Sequence, residues 1–235
     1  MSDWAPKRFW KTARTEPTDA GARVLLDDKP VRTPAGAALV LPTEGLAKAV
    51  AAEWDAQEKV VDPGTMPMTR TANSAIDKVA SQKMAVAAML AEYGGTDLLS
   101  YRAQSPRALA EQQSQLWDPL LDWAEQTFGA RLAVTHGVMP VAQDRDALDR
   151  LAAPMSQMSP FRLAAFHDLV ALSGSLVLAH AAAWGARSPE EIWQLSRLDE
   201  EWQAEEWGRD EEAEEVAAIK RRAFLDAHRF WALST

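Results

Sequence analysis

The stretch "LDEEWQAEEWGRDEEAEE", residues 198–215, gathers more chemically capable side chains than any other part of the sequence. Ten carboxylates between Asp199 and Glu215 surround Trp202 and Trp207, with Arg209 as the single base. Such a run supports two kinds of chemistry. Glu200, Glu201, Asp210 and Glu211 are numerous enough for acid–base catalysis or for a divalent metal site. The same carboxylates beside an indole make a surface for a protein partner, because Trp anchors binding while a charged rim sets specificity. The glycine and Asn ligands of a calcium loop are missing, and nothing supplies a substrate pocket. A carboxylate-dependent or metal-dependent enzyme using 199–215 is therefore the second reading. A third is a plain solvated helix face. Helical spacing makes that last reading incomplete. Leu195, Leu198 and Trp202 share a stripe through i+3 and i+4 steps, which predicts burial. On one continuous helix Trp193 and Trp207 fall on a different side, with Glu200 and Glu211, and both sides cannot face one small core.

Other chemistry is mostly missing. There is no Gly-rich phosphate loop of either common form, so no nucleotide is expected. No G-x-S-x-G elbow occurs, and "LSGS" at 172–175 reads as small residues inside an apolar helix. His136, His167, His180 and His228 are scattered, without metal-ligand spacing. The chain has no cysteine, which excludes disulfides, thiolate metal sites and a Cys nucleophile. No cofactor, metal or catalytic residue is expected.

Charge placement narrows the partners. The formal charge of −9 lies entirely in residues 199–215, and the remainder balances 24 acids against 24 bases. Such a chain is a poor nucleic-acid binder, since affinity for phosphate comes from Lys and Arg. No segment approaches the roughly 18 apolar residues of a membrane helix, so membrane insertion is not expected. "MSDWAPKRFWK" lacks the apolar core of a secretory signal and is too short for a transit peptide. A soluble intracellular protein is the expectation.

These residues need elements to position them. Residues 1–65 read as a β-rich unit with one helix, and 66–235 as a larger, all-helical domain, giving an α+β fold. Short strands are predicted at 8–11, 22–28, 29–33 and 37–41, with a hairpin turn at Asp27-Asp28-Lys29-Pro30. Thr43 is placed to cap a helix whose Leu46, Val50 and Trp54 form one buried stripe. Beyond Asp62-Pro63-Gly64, helices are predicted over 68–93, 105–129, about 144–155, 159–185, 188–208 and 210–233. Residues 132–141 read as extended, Ser105-Pro106 as an N-cap and first-turn pair, and Pro119 as a kink or restart.

Several long stretches resemble one family. "RFWK", "VRTPAGAALVLPTEGLAKAVAAEWDAQ", "MPMTRTANSAID", "YGGTDLLSYRA", "LWDPLLDWA" and "SRLDEEWQAEEWG" are similar to the assembly chaperones of the F-type ATP synthase catalytic head that attend its alpha subunit. The likeness spans about residues 8 to 231. Ser100 stands where many relatives carry Cys, so no thiol role transfers. The resemblance implies a non-catalytic chaperone that holds the unassembled alpha subunit and prevents its aggregation; the lack of a transit peptide favours the bacterial cytoplasm over a mature mitochondrial form. It also implies that the signature at Leu198, Asp199, Glu200, Glu201, Trp202, Gln203, Trp207 and Gly208 carries the function. The expected client-binding residues are Asp199, Glu200, Glu201, Gln203, Trp207 and Glu211, with Glu201 and then Glu200 foremost. Asp97, Tyr101 and Arg102 form a possible secondary site, against which stands their use as a polar joint between helices.

Overall fold

Strand β1 (Ala13–Thr18) pairs antiparallel with β2 (Gly21–Leu26) along its full length, Ala13 opposite Leu26 and Thr18 opposite Gly21. A computed structural model of the chain describes residues 7–235; the first six residues of "MSDWAPKRFWK" lie outside the described residues. The other edge of β2 pairs with β3 (Lys29–Pro30) at Leu25 and Leu26 and with β4 (Val40–Leu41) at Ala22 and Arg23. Asp27 and Asp28 form the two-residue hairpin loop between β2 and β3. Asp27 has φ 53°, and its carboxylate accepts the backbone N–H groups of Lys11 and Thr12 at 3.0 Å each. An Asp tolerates this conformation because its short acceptor can bond locally.

Sequence and structure differ at the first strand. "RFWK" forms no strand; β1 starts at Ala13, in "ARTEPT". That segment has no apolar alternation, because it is an edge strand whose residues are all half-buried or exposed.

Helix α1 (Glu44–Asp55) packs on β1 and β2, and Thr43 Oγ1 accepts from Leu46 N as its N-cap. Leu46 and Val50 are fully buried, with Val24 and Leu41 of the sheet. Trp54, half-buried, meets the ring of Trp10 edge-on at 5.3 Å. Helix α2 (Pro67–Ser74) has no capping side chain of its own. Glu53 of α1 supplies one, accepting Met68 N at 2.7 Å and Thr69 N at 2.8 Å.

A wide π turn, Ala75–Val79, leads into α3 (Ala80–Ala91), which kinks at Gln82. The first compact unit ends there, at Lys83, and also takes in Ser159–Ala165 and Arg229–Thr235. The second unit comprises Met84–Met158 and Phe166–His228.

The second unit is helical except for one two-residue parallel pair, β5 (Tyr101–Arg102) with β6 (Thr135–His136). Helix α4 (Arg107–Phe128) is continuous across Pro119, so the helix does not restart there. Pro106, not Ser105, is its N-cap. Helix α5 is Arg145–Gln157, and α6 spans Pro160–Ser173. Gly174 then takes φ +68° and ends α6, so "LSGS" is a break and not helix interior. Ser175 caps α7 (Leu176–Ala183), its Oγ accepting from Leu178 N.

Helix α8 (Pro189–Ser196) opens with a capping box between Ser188 and Glu191. Helices α9 (Leu198–Trp207) and α10 (Glu211–Leu233) complete the chain. Among the described residues no helix is long and apolar enough to cross a membrane.

Candidate protein-binding surface

The acidic segment runs through α9 into the first turns of α10, and α9 is broken from α8 upstream. Arg197, at φ −113° and ψ 13°, separates α8 from α9. The two tryptophans expected on one side therefore part company. Trp193 is buried against Phe224, with ring centroids 5.8 Å apart, and the Arg197 guanidinium lies over its ring at 6.0 Å. Trp207 is 81% exposed. Leu198 is buried, whereas Leu195 and Trp202 are only half-buried, so the expected core stripe is weaker than helical spacing alone implies. Gly208 follows Trp207 with φ +95°, a conformation that side-chain-bearing residues rarely adopt, and it ends α9.

The ten carboxylates divide by task. Asp199 turns inward and accepts the Gln113 Nε2 donor at 2.6 Å. Gln113 is buried, its Oε1 accepting Ala103 N at 2.7 Å and its backbone carbonyl accepting Arg102 Nη1 at 2.6 Å. Asp199 is thus a tether between α9 and α4. Asp210 caps α10, accepting Glu212 N at 2.9 Å. Glu200 pairs with Arg197 at 2.6 Å. Arg209 reaches Glu201 at 3.3 Å and Glu214 at 2.8 Å, joining α9 to the first turns of α10. Glu200, Glu201, Gln203, Glu205, Glu206 and Glu211 are all exposed. Sequence reasoning did not single out Arg197 or Arg209 as organisers; for Arg209 its isolation within the acidic run was the available signal.

Asp97 and Arg102 are buried, and Tyr101 is half-buried. Asp97 is fully buried, and its carboxylate takes four donors: Ser175 Oγ at 2.7 Å, Leu176 N at 2.7 Å, Leu99 N at 3.0 Å and Val177 N at 3.2 Å. Burial pushes its pKa up to about 6, against the pull of these hydrogen bonds. Arg102 is 2% exposed, salt-bridged to Asp118 at 2.8 Å and placed over Trp117 at 5.0 Å. Burial lowers its pKa, and Asp118 opposes that. Both charged groups are engaged inside the fold, in a polar joint that locks the start of α7 and the flank of α4.

Among the described residues no three His, Asp or Glu side chains converge to hold a metal ion. An exposed indole and a band of solvated carboxylates suit recognition of another protein. The fold is α+β, and its acidic helical face carries an exposed indole.

The ATP12 chaperone protein family model matches residues 7–125. Atp12 from Paracoccus denitrificans is 53% identical, with TM-score 0.94 over 97% of this chain and 98% of that one. The Atu1473 protein of Agrobacterium tumefaciens is 44% identical, with TM-score 0.89 over 95% of this chain and 85% of that one. The mitochondrial protein atp12 of Schizosaccharomyces pombe is 26% identical over 94% of this chain and 84% of its own length. The chain belongs to the ATP12 chaperone family, whose members act in ATP synthase assembly.

Proposed function

We propose that this chaperone holds the unassembled alpha subunit of the F-type ATP synthase, without catalysis and in the bacterial cytoplasm, through the exposed side of α9 and the first turns of α10. The observation that carries this reading is Trp207, 81% exposed within a rim of Glu200, Glu201, Gln203 and Glu211. A large indole left in water is a ready anchor, since covering it gains apolar burial. The surrounding carboxylates favour a client surface rich in Lys or Arg and disfavour acidic ones. Arg197 and Arg209 partly occupy Glu200 and Glu201, but exposed ion pairs are worth only about 0–1 kcal/mol. A basic client group can therefore displace them.

The test is light scattering of an aggregating alpha subunit with the wild-type chaperone, Trp207→Ala and the Glu200→Ala/Glu201→Ala double variant. Both variants should protect less while melting as the wild type does, and added salt should weaken wild-type protection. Full protection by both variants, with no effect of salt, would remove this surface from the mechanism.

A further inference from the structure

The second unit also contains a groove of about 510 Å³ that the acidic surface does not account for. Leu116 and Pro119 of α4 form one side, and Leu195 of α8 with Leu198 of α9 the other. Glu191 and Glu201 stand among its polar lining residues, with Arg187 as the opposing base. The volume falls within the roughly 300–1,000 Å³ of pockets that take ligand-sized groups.

Two observations point to an occupant. The groove is built in advance: Trp117 Nε1 donates to Leu195 O at 2.9 Å and Gln113 Nε2 donates to Asp199 at 2.6 Å, so α4 is tied to both α8 and α9. A fixed groove binds without the ordering cost of forming one. Its apolar wall is open, with Leu116 39% exposed.

We infer that this groove docks a short aliphatic segment of a polypeptide client carrying a Lys or Arg, which rests on the client-binding reading above. The aliphatic side chains cover Leu116 and Leu195, and the base meets Glu201, whose exposed pair with Arg209 is weak, while Glu191, held by Ser188, adds negative charge nearby. Glu201 belongs to both the groove and the acidic face of α9, so one client segment can continue from one to the other. Two carboxylates against one guanidinium set the preference for a cation.

The experiment places a photo-crosslinking p-benzoylphenylalanine at Leu116 and, as control, at Met139, which is 71% exposed and outside the groove. Each chaperone is mixed with ATP synthase alpha subunit diluted from denaturant. Leu116→Glu is assayed in parallel for protection and for thermal melting. The expected result is a crosslink from position 116 to an aliphatic segment bearing Lys or Arg, little from 139, and at least a five-fold rise in the Leu116→Glu concentration needed for protection. Should Leu116→Glu melt early, Leu116→Gln and the crosslink decide. Protection by the wild type with full activity of the Leu116 variant and no crosslink from 116 overturns the groove and leaves the client reading standing. Failure of the wild type to protect the alpha subunit removes the client reading, and the groove assignment with it. Concentration-dependent dimers that Leu116→Glu abolishes show a second copy in the groove, which also overturns the assignment.

Discussion

The Gln113 side-chain amide donates to Asp199 at 2.6 Å, joining a buried position of α4 to the first turn of α9 across 86 residues of sequence. The bond makes the most N-terminal carboxylate of the acidic run part of the fold. Gln113 is 1% exposed, so removing its acceptor leaves a buried donor unsatisfied. Asp199→Ala should cost about 1–3 kcal/mol, and Asp199→Asn, which keeps an acceptor, clearly less. Chemical denaturation of both variants checks this. Equal stability of Asp199→Ala and wild type would show that the bond contributes nothing.

Trp193 and Trp207 should behave as opposites. Trp193→Ala empties a buried site against Phe224 and should cost about 3–5 kcal/mol. Trp207→Ala changes a surface residue and should stay within about 0.5 kcal/mol of wild type. Denaturant midpoints measure both, and a large loss for Trp207→Ala would mean that its indole packs on the protein in solution.

Acid and base sensitivity should separate at two buried groups. His180 lies among the rings of Phe128, Phe166 and Trp184, bonded to Leu151 O at 2.9 Å, and burial lowers its pKa to about 4. The unfolded chain takes up a proton below about 6.5 that the folded imidazole refuses, so this contribution is lost as pH falls from about 6.5 to 4. Asp97 acts in the other direction. With its pKa raised to about 6, the folded state holds a proton that the unfolded state releases, and stability is lost as pH rises from about 4 to 6. Melting temperatures between pH 4 and 7 should therefore fall less steeply toward acid in His180→Gln than in wild type, and more steeply in Asp97→Asn. Parallel curves for all three would reject both titrations.

Gly174 should resist replacement for conformational reasons alone. A Cβ there would meet no atom within 4 Å, yet φ is +68°. Gly174→Ala should cost about 1 kcal/mol or somewhat more, measured by thermal melting. No change would mean that the break between α6 and α7 relaxes readily.

Short-range signals were readable in the linear chain. Thr43 and the Ser188–Glu191 box each bond backbone within three residues of themselves, and Asp27-Asp28 makes a hairpin between adjacent strands. Leu46 and Val50 show their burial through helical spacing. The motif stretches carried the family, and the acidic run with Trp207 carried the candidate surface. Tertiary structure decided the rest, because the deciding partners are distant in sequence. Periodicity alone joins 188–208 into one helix; the bend at Arg197 goes with packing of Trp193 on Phe224 and of Trp117 on the Leu195 carbonyl. Nothing in "LDEEWQ" distinguishes Asp199 from Glu200, since one meets Gln113 and the other Arg197 only after α4 and α9 come together. Burial of Asp97 and Arg102 likewise depends on Ser175, Gln113 and Asp118, donors and acceptors that no local pattern can assign.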